Sequence, residues 1–260
     1  AKLAATLSAS CDVASIADLR ATNGLGFAAE DGMCPLDGAS APTTLAALAD
    51  CVARGHACRV DALVAFESPR AAELLALAGQ DAATMAPCLP AGANGGGAGS
   101  TDPAVAKALE SCGKALAVGG GKFARGKSKA VAKCLQALES CLFKEGNAVS
   151  PCLDGARAAC AKAIGTLTRP GSGVEPKLGA TITRACGAAG LPFADVLAPS
   201  GLGFASWTST CVALGTGPLD SPSALAACVT RQHECRVEQL VEREAPRLRE
   251  LIDLGGTALP

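Results

Sequence analysis

Residues 51–79 read CVARGHACRVDALVAFESPRAAELLALAG, and residues 228–256 read CVTRQHECRVEQLVEREAPRLRELIDLGG, an ungapped match at an offset of 177. Across Thr44–Phe66, Leu48, Cys51, Val52, Gly55, Cys58, Ala62 and Phe66 recur at spacings of three and four, the signature of one helical face. Ser68 as N-cap and Pro69 at the first helical position then open a second helix that Gly79 terminates. Pro246 plays the same part in the other stretch. Period-two alternation of β-branched and aromatic residues is absent, and Ala, Leu, Lys and Glu favour helix. The expected fold is all-α: disulfide-stapled helical hairpins, with a duplicated four-cysteine module flanking a central basic helical hairpin.

The repeat extends outward from these stretches. At the same offset Gly24-Leu25-Gly26-Phe27-Ala28 falls on Gly201-Leu202-Gly203-Phe204-Ala205, and Cys34 falls on Cys211. An offset of 175 places Lys2-Leu3 on Lys177-Leu178 and Cys11 on Cys186. The chain therefore divides into a first four-cysteine module (1–80), a Gly-rich linker (81–102), the central basic hairpin (103–170) and a second module (171–260). The middle part has no counterpart ahead of the first copy, so the chain reads as starting partway through a longer repeating unit. Ala at position 1 suggests a processed secretory terminus.

Composition explains why sulfur matters. Ala dominates the apolar residues, with six Phe, one Trp and no Tyr, so at ~25 cal/mol per Å² each buried side chain contributes little. Fourteen cysteines, no two closer than seven positions, fit full pairing in an oxidising compartment better than thiolate metal sites. The location expected is extracellular or cell-surface.

Seven residues of helix span ~10.5 Å, beyond the reach of a disulfide, so Cys51 and Cys58 staple one helix to different neighbours. The simplest pairs are Cys34 with Cys51 and Cys11 with Cys58, repeated as Cys211 with Cys228 and Cys186 with Cys235; the sequence leaves the crossed arrangement open. Two helices either side of Gly146-Asn147 form an antiparallel hairpin in which partners' numbers add to a constant. Cys141 with Cys152 and Cys134 with Cys160 satisfy that rule, leaving Cys88 for Cys112.

Several motifs invite chemistry. Residues 121–128, GKFARGKS, match the phosphate-loop pattern, but such a loop needs a buried strand before it; the sequence offers a Gly-rich turn between Ala-rich helices with solvated lysines, and nucleotide is not expected. His56 and His233 sit in equivalent Cys-x4-His-x-Cys segments. On a helix turning ~100° per residue their rings point away from the thiol face, so metal ligation is not expected. No catalytic residue, cofactor or metal site is assigned, and the protein is expected not to be an enzyme.

Charge is partitioned: residues 103–170 carry eleven Lys or Arg against four Asp or Glu, and residues 1–90 carry five against ten. A basic middle can meet an acidic end of a neighbour or a polyanion; nucleic acid is disfavoured by the scarcity of aromatics. No apolar run of eighteen residues occurs, so no transmembrane segment is expected.

The spacing Cys112-x21-Cys134-x6-Cys141, with AlaLeuGluSerCys at both 108–112 and 137–141, resembles secreted cysteine-rich, Ala/Lys-rich helical repeat proteins of environmental bacteria. That resemblance covers most of 104–256 and implies secretion and helicity, with no activity attached. The function expected is an extracellular structural or assembly subunit, its partner a second copy of itself, joined head to tail into a filament. The alternatives are a binding module for a hydrophobic small molecule or a polyanionic surface ligand, and thiolate storage of soft metal.

Overall fold

The computed structural model describes residues 6, 9–11, 14–89, 99–144, 150–256 and 259. Lys2-Leu3, residues 90–98 of the Gly-rich linker and the Gly146-Asn147 turn lie outside them. The chain is all-α, with no strand among the described residues. Among the described residues its helices include α1 (Ile16–Arg20), α2 (Leu45–Glu67), α3 (Ala71–Leu77), α4 (Ala82–Met85), α5 (Pro103–Lys144), α6 (Ser150–Thr168), α7 (Val174–Cys186), α8 (Phe193–Leu197), α9 (Thr208–Ala213), α10 (Pro222–Glu244) and α11 (Leu248–Leu254).

Local chemistry sets the boundaries. Ser15 and Asp18 form a reciprocal capping box that opens α1. Asp102 accepts from the Ala104 amide at 2.8 Å ahead of Pro103 and so caps α5. The long helix α2 stops at Glu67 and α10 at Glu244 because Pro69 and Pro246 cannot continue them. Helix α3 begins two residues later than the sequence suggests: Arg70 rather than Ser68 precedes its first residue.

The elements recur with the sequence. α1 and α8, α2 and α10, and α3 and α11 have identical bounds once displaced by 177, as do the 3₁₀ turns Phe27–Glu30 and Phe204–Trp207. Their shared Gly-Leu-Gly has a backbone cause. The Ala21 carbonyl accepts from the amides of Gly24 and Gly26, and the Ala198 carbonyl from those of Gly201 and Gly203. A Cβ on Gly24 would lie 1.8 Å from the Asp18 carbonyl oxygen, and one on Gly201 1.7 Å from that of Asp195. Gly26 and Gly203 take φ of +79° and +82°, where other residues are strained.

The compact units do not follow the sequence boundaries. One comprises residues 1–60, 131–161 and 238–259, and the other chiefly 61–130 and 162–237, in place of modules 1–80 and 171–260 around a separate 103–170 hairpin. Each unit joins the first part of one copy to the last part of the other. In the second unit Arg70 donates to the Gly201 carbonyl at 2.7 Å while its other nitrogens hold Glu73 at 2.6 and 2.8 Å. In the first, Arg247 donates to the Gly24 carbonyl at 2.8 Å and holds Glu250 at the same two distances. The reason is reach: Leu19 and Phe27 pack on Leu48, near the start of α2, while Arg70 follows its far end, ~30 Å along.

Helix α5 is a single helix of 42 residues, so the Gly119-Gly120-Gly121 turn expected from the sequence does not exist. Glycines there admit neighbours: a Cβ on Gly119 would lie 3.0 Å from Leu178, and one on Gly126 3.0 Å from Val174, which brings α7 close against α5. The phosphate-loop look-alike is therefore helical throughout, and Lys127 is fully buried rather than solvated.

Disulfides join Cys34 to Cys51, Cys211 to Cys228, Cys134 to Cys160 and Cys141 to Cys152. The other three expected pairs are replaced. Cys112 bonds Cys186, which excludes Cys88–Cys112 and Cys186–Cys235. Cys58 and Cys88 are each disulfide-bonded, whereas Cys11 and Cys235 are free thiols, so Cys11–Cys58 does not form. The physical cause is that α7 runs antiparallel to the first part of α5, supplying a further rung there.

Candidate functional site

In the first unit α1, the glycine loop and α2 enclose an open cavity of about 570 Å³. Its floor is Leu19, Leu25, Phe27, Leu48 and Val52, and no residue of α5 or α6 lines it. Three groups with chemistry reach it: the Cys11 thiol, His56 and Glu244.

Periodicity along α2 places Leu48, Val52 and His56 four residues apart on one side. His56 Nδ1 is 2.8 Å from Glu244 Oε1. That bond pushes His56 above its ordinary pKa, with partial burial opposing it. Nε2 has no hydrogen-bond partner among the described residues.

The second unit holds the same positions in a different condition. Val196, Leu202, Phe204, Leu225 and Val229, displaced by 177 from the cavity floor, pack with Leu109, Cys112, Leu116 and Phe123 of α5. His233 and Glu67, the counterparts of His56 and Glu244, are buried, with Nε2 2.7 Å from Glu67 Oε1. His233 Nδ1 lies 2.9 Å from the Val229 carbonyl; a carbonyl only accepts, so Nδ1 carries a proton. A Cβ on Gly120 would come within 2.0 Å of Glu67 Oε1 and 2.5 Å of His233 Nε2. A helix thus covers in the second unit a face that, among the described residues, no residue of α5 or α6 covers in the first.

The basic middle segment contributes a second feature. Lys114 and Lys122 of α5 and Lys177 of α7 line a groove of about 680 Å³ with Val118, Val174 and Leu178, and no carboxylate lines it. None of these lysines has an ion-pair partner among the described residues.

Glu30, Cys34 and Cys51 place potential ligand atoms within 4.8 Å of one another. The two sulfurs are joined to each other and Glu30 pairs with Arg243, so the group offers no thiolate and no free carboxylate. His56 faces Glu244 and stays partly exposed, whereas the buried His233 faces Glu67.

Sequence reasoning missed the Cys112–Cys186 rung because that rung departs by four or more from the constant that the Gly146-Asn147 hairpin sets for the other two rungs. It had no signal for the free Cys11. No helix among the described residues is long and apolar enough to cross a membrane. No family model, curated protein or solved structure matches the chain.

Proposed function

We propose that this is an extracellular assembly protein whose open cavity in the first unit receives a polypeptide from outside that unit. The observation carrying this reading is the correspondence between the cavity floor and the face that α5 covers in the second unit. An apolar, concave surface left uncovered among the described residues, when its equivalent is covered, is where association removes most apolar area from water. The disulfides fit an oxidising location. Head-to-tail joining of copies is one form of such assembly.

A second reading is favoured by the cavity's size, which falls within the ~300–1,000 Å³ of small-molecule sites: a carrier of a hydrophobic molecule. The lysine groove supports an anionic ligand in the same class. Native mass spectrometry and sedimentation velocity of protein taken from its source separate the two. Assembly predicts a bound polypeptide, or a second copy, that Val52→Trp releases. A bound mass of a few hundred daltons, or a bare monomer at every concentration, overturns it.

A further inference from the structure

Cys11 and Cys186 correspond at an offset of 175. Cys186 is bonded to Cys112 on the α5 face that seals the second unit. Cys11 lines the cavity of the first unit, to which neither α5 nor α6 contributes a described residue, as a free thiol. We infer that this cavity is the socket for a cysteine-bearing α-helix that closes onto Cys11 by a disulfide. The inference rests on the assembly reading and names the kind of partner it requires.

The second unit specifies that helix. Around Cys112, Leu109, Leu116 and Phe123 fill the apolar floor. Gly113 meets Leu202, where a Cβ would lie 3.5 Å from the Leu202 side chain, and Gly120 meets the Glu67–His233 pair. In the first unit the same places are held by Leu25, Glu244 and His56, all at the cavity wall. The incoming helix therefore carries Leu three residues before its cysteine, Leu four after, Gly eight after and an aromatic eleven after. Charge agrees: residues 103–127 carry five Lys or Arg against one Glu, while the first unit's residues 1–60, 131–161 and 238–259 carry ten against fourteen acids. A basic helix suits an acidic receiver.

The covalent step is thiol–disulfide exchange with a partner whose cysteine is already in a mixed disulfide. Cys11 loses its proton, and the thiolate attacks the partner's sulfur. A new S–S bond forms to Cys11, the old one breaks, and the displaced thiolate leaves with the electron pair and takes up the proton. No external oxidant is consumed.

The test uses the full-length oxidised protein and a synthetic peptide of residues 103–127, whose single cysteine carries a thionitrobenzoate group. Docking makes exchange effectively intramolecular, so Cys11 should react on the order of a hundredfold faster than Cys235. The advantage should vanish when the peptide carries Gly120→Phe. Equal rates at the two thiols, or indifference to Gly120→Phe, overturn the inference. Fluorescence anisotropy of an unactivated peptide with Cys11→Ser protein separates the two levels. Binding there without exchange in the native protein removes the disulfide and leaves the assembly reading; absence of both removes the helical partner, and native mass spectrometry then decides the assembly reading.

Discussion

Phe66 and Trp207 meet in the second unit with ring centroids 4.6 Å apart, and the residues 177 positions from them, Arg243 and Glu30, form a buried ion pair in the first. Asp37 is a second carboxylate on Arg243, and its counterpart is Leu214, packed against the core of the second unit. The same backbone frame thus accommodates an aromatic contact in one place and a charge cluster in the other. Only the cluster is vulnerable to losing one member, because a buried charge left without its partner carries the full desolvation penalty.

Arg243→Met should therefore destabilise the protein by about 3–5 kcal/mol, since it strands Glu30 and Asp37. The triple variant Glu30→Trp, Asp37→Leu, Arg243→Phe transplants the other unit's solution and should recover most of that loss. Urea denaturation midpoints of the two variants check the claim; a triple variant no more stable than the single one would refute it.

The glycines of α5 separate packing from propensity. Gly120→Ala drives a methyl into Glu67 and His233 and should cost about 1–3 kcal/mol as overpacking. At Gly121 nothing lies within 4 Å of an added Cβ, so Gly121→Ala should stabilise by ~1 kcal/mol through helix propensity alone. Thermal melts of the two single variants should shift in opposite directions.

His56 gains a proton-linked contribution. Its folded pKa is raised, chiefly by the hydrogen bond to Glu244, so its stabilisation is complete below the unfolded value of ~6.5 and is lost as pH rises through the folded value. His56→Gln should lower the denaturation midpoint at pH ~5 and leave it nearly unchanged at pH ~8. An NMR titration placing His56 below the ordinary histidine range would contradict the assignment.

Much of the architecture was legible because α2 and α10 carry periodic apolar faces and because Gly24, Gly26 and Cys34 recur exactly where a repeat requires them. The exchange between copies was not read from the sequence, since Arg70 and Arg247 see chemically identical loops at Gly201 and Gly24. The length of α2 does discriminate, by putting Arg70 beyond the reach of its own loop. The Gly119–Gly121 run misled for a different reason. Three glycines favour a turn by propensity, but here they make room for α7 and for the Glu67–His233 pair. The cavity had no sequence signal, because the residues of its floor match those that α5 covers elsewhere.

Alkylation of the denatured, unreduced protein should modify Cys11 and Cys235 and no other cysteine. Peptide mapping should recover Cys112 joined to Cys186. Both thiols are partly buried, so native protein should label more slowly than denatured protein. Recovery of Cys88 linked to Cys112 would restore the pairing expected from spacing and remove the rung that holds α7 on α5.

The sequence boundary at residue 80 offers the sharpest contrast between repeat and folding unit. An isolated 1–80 fragment keeps α1, the glycine loop and Cys34–Cys51, but it loses Arg247 from the Gly24 carbonyl and Arg243 from Glu30 and Asp37. Its own α3 loses the Gly201 loop that anchors Arg70. Two buried carboxylates without a cation and a helix arm without a surface leave little to offset ~1–2 kcal/mol of backbone entropy per ordered residue. The fragment should show partial helical circular dichroism and no cooperative melt. Mixing it with an equimolar 171–260 fragment should restore part of the transition, because each supplies the arm that the other lacks. A fragment 1–80 that melts cooperatively on its own would show that the exchanged contacts are dispensable.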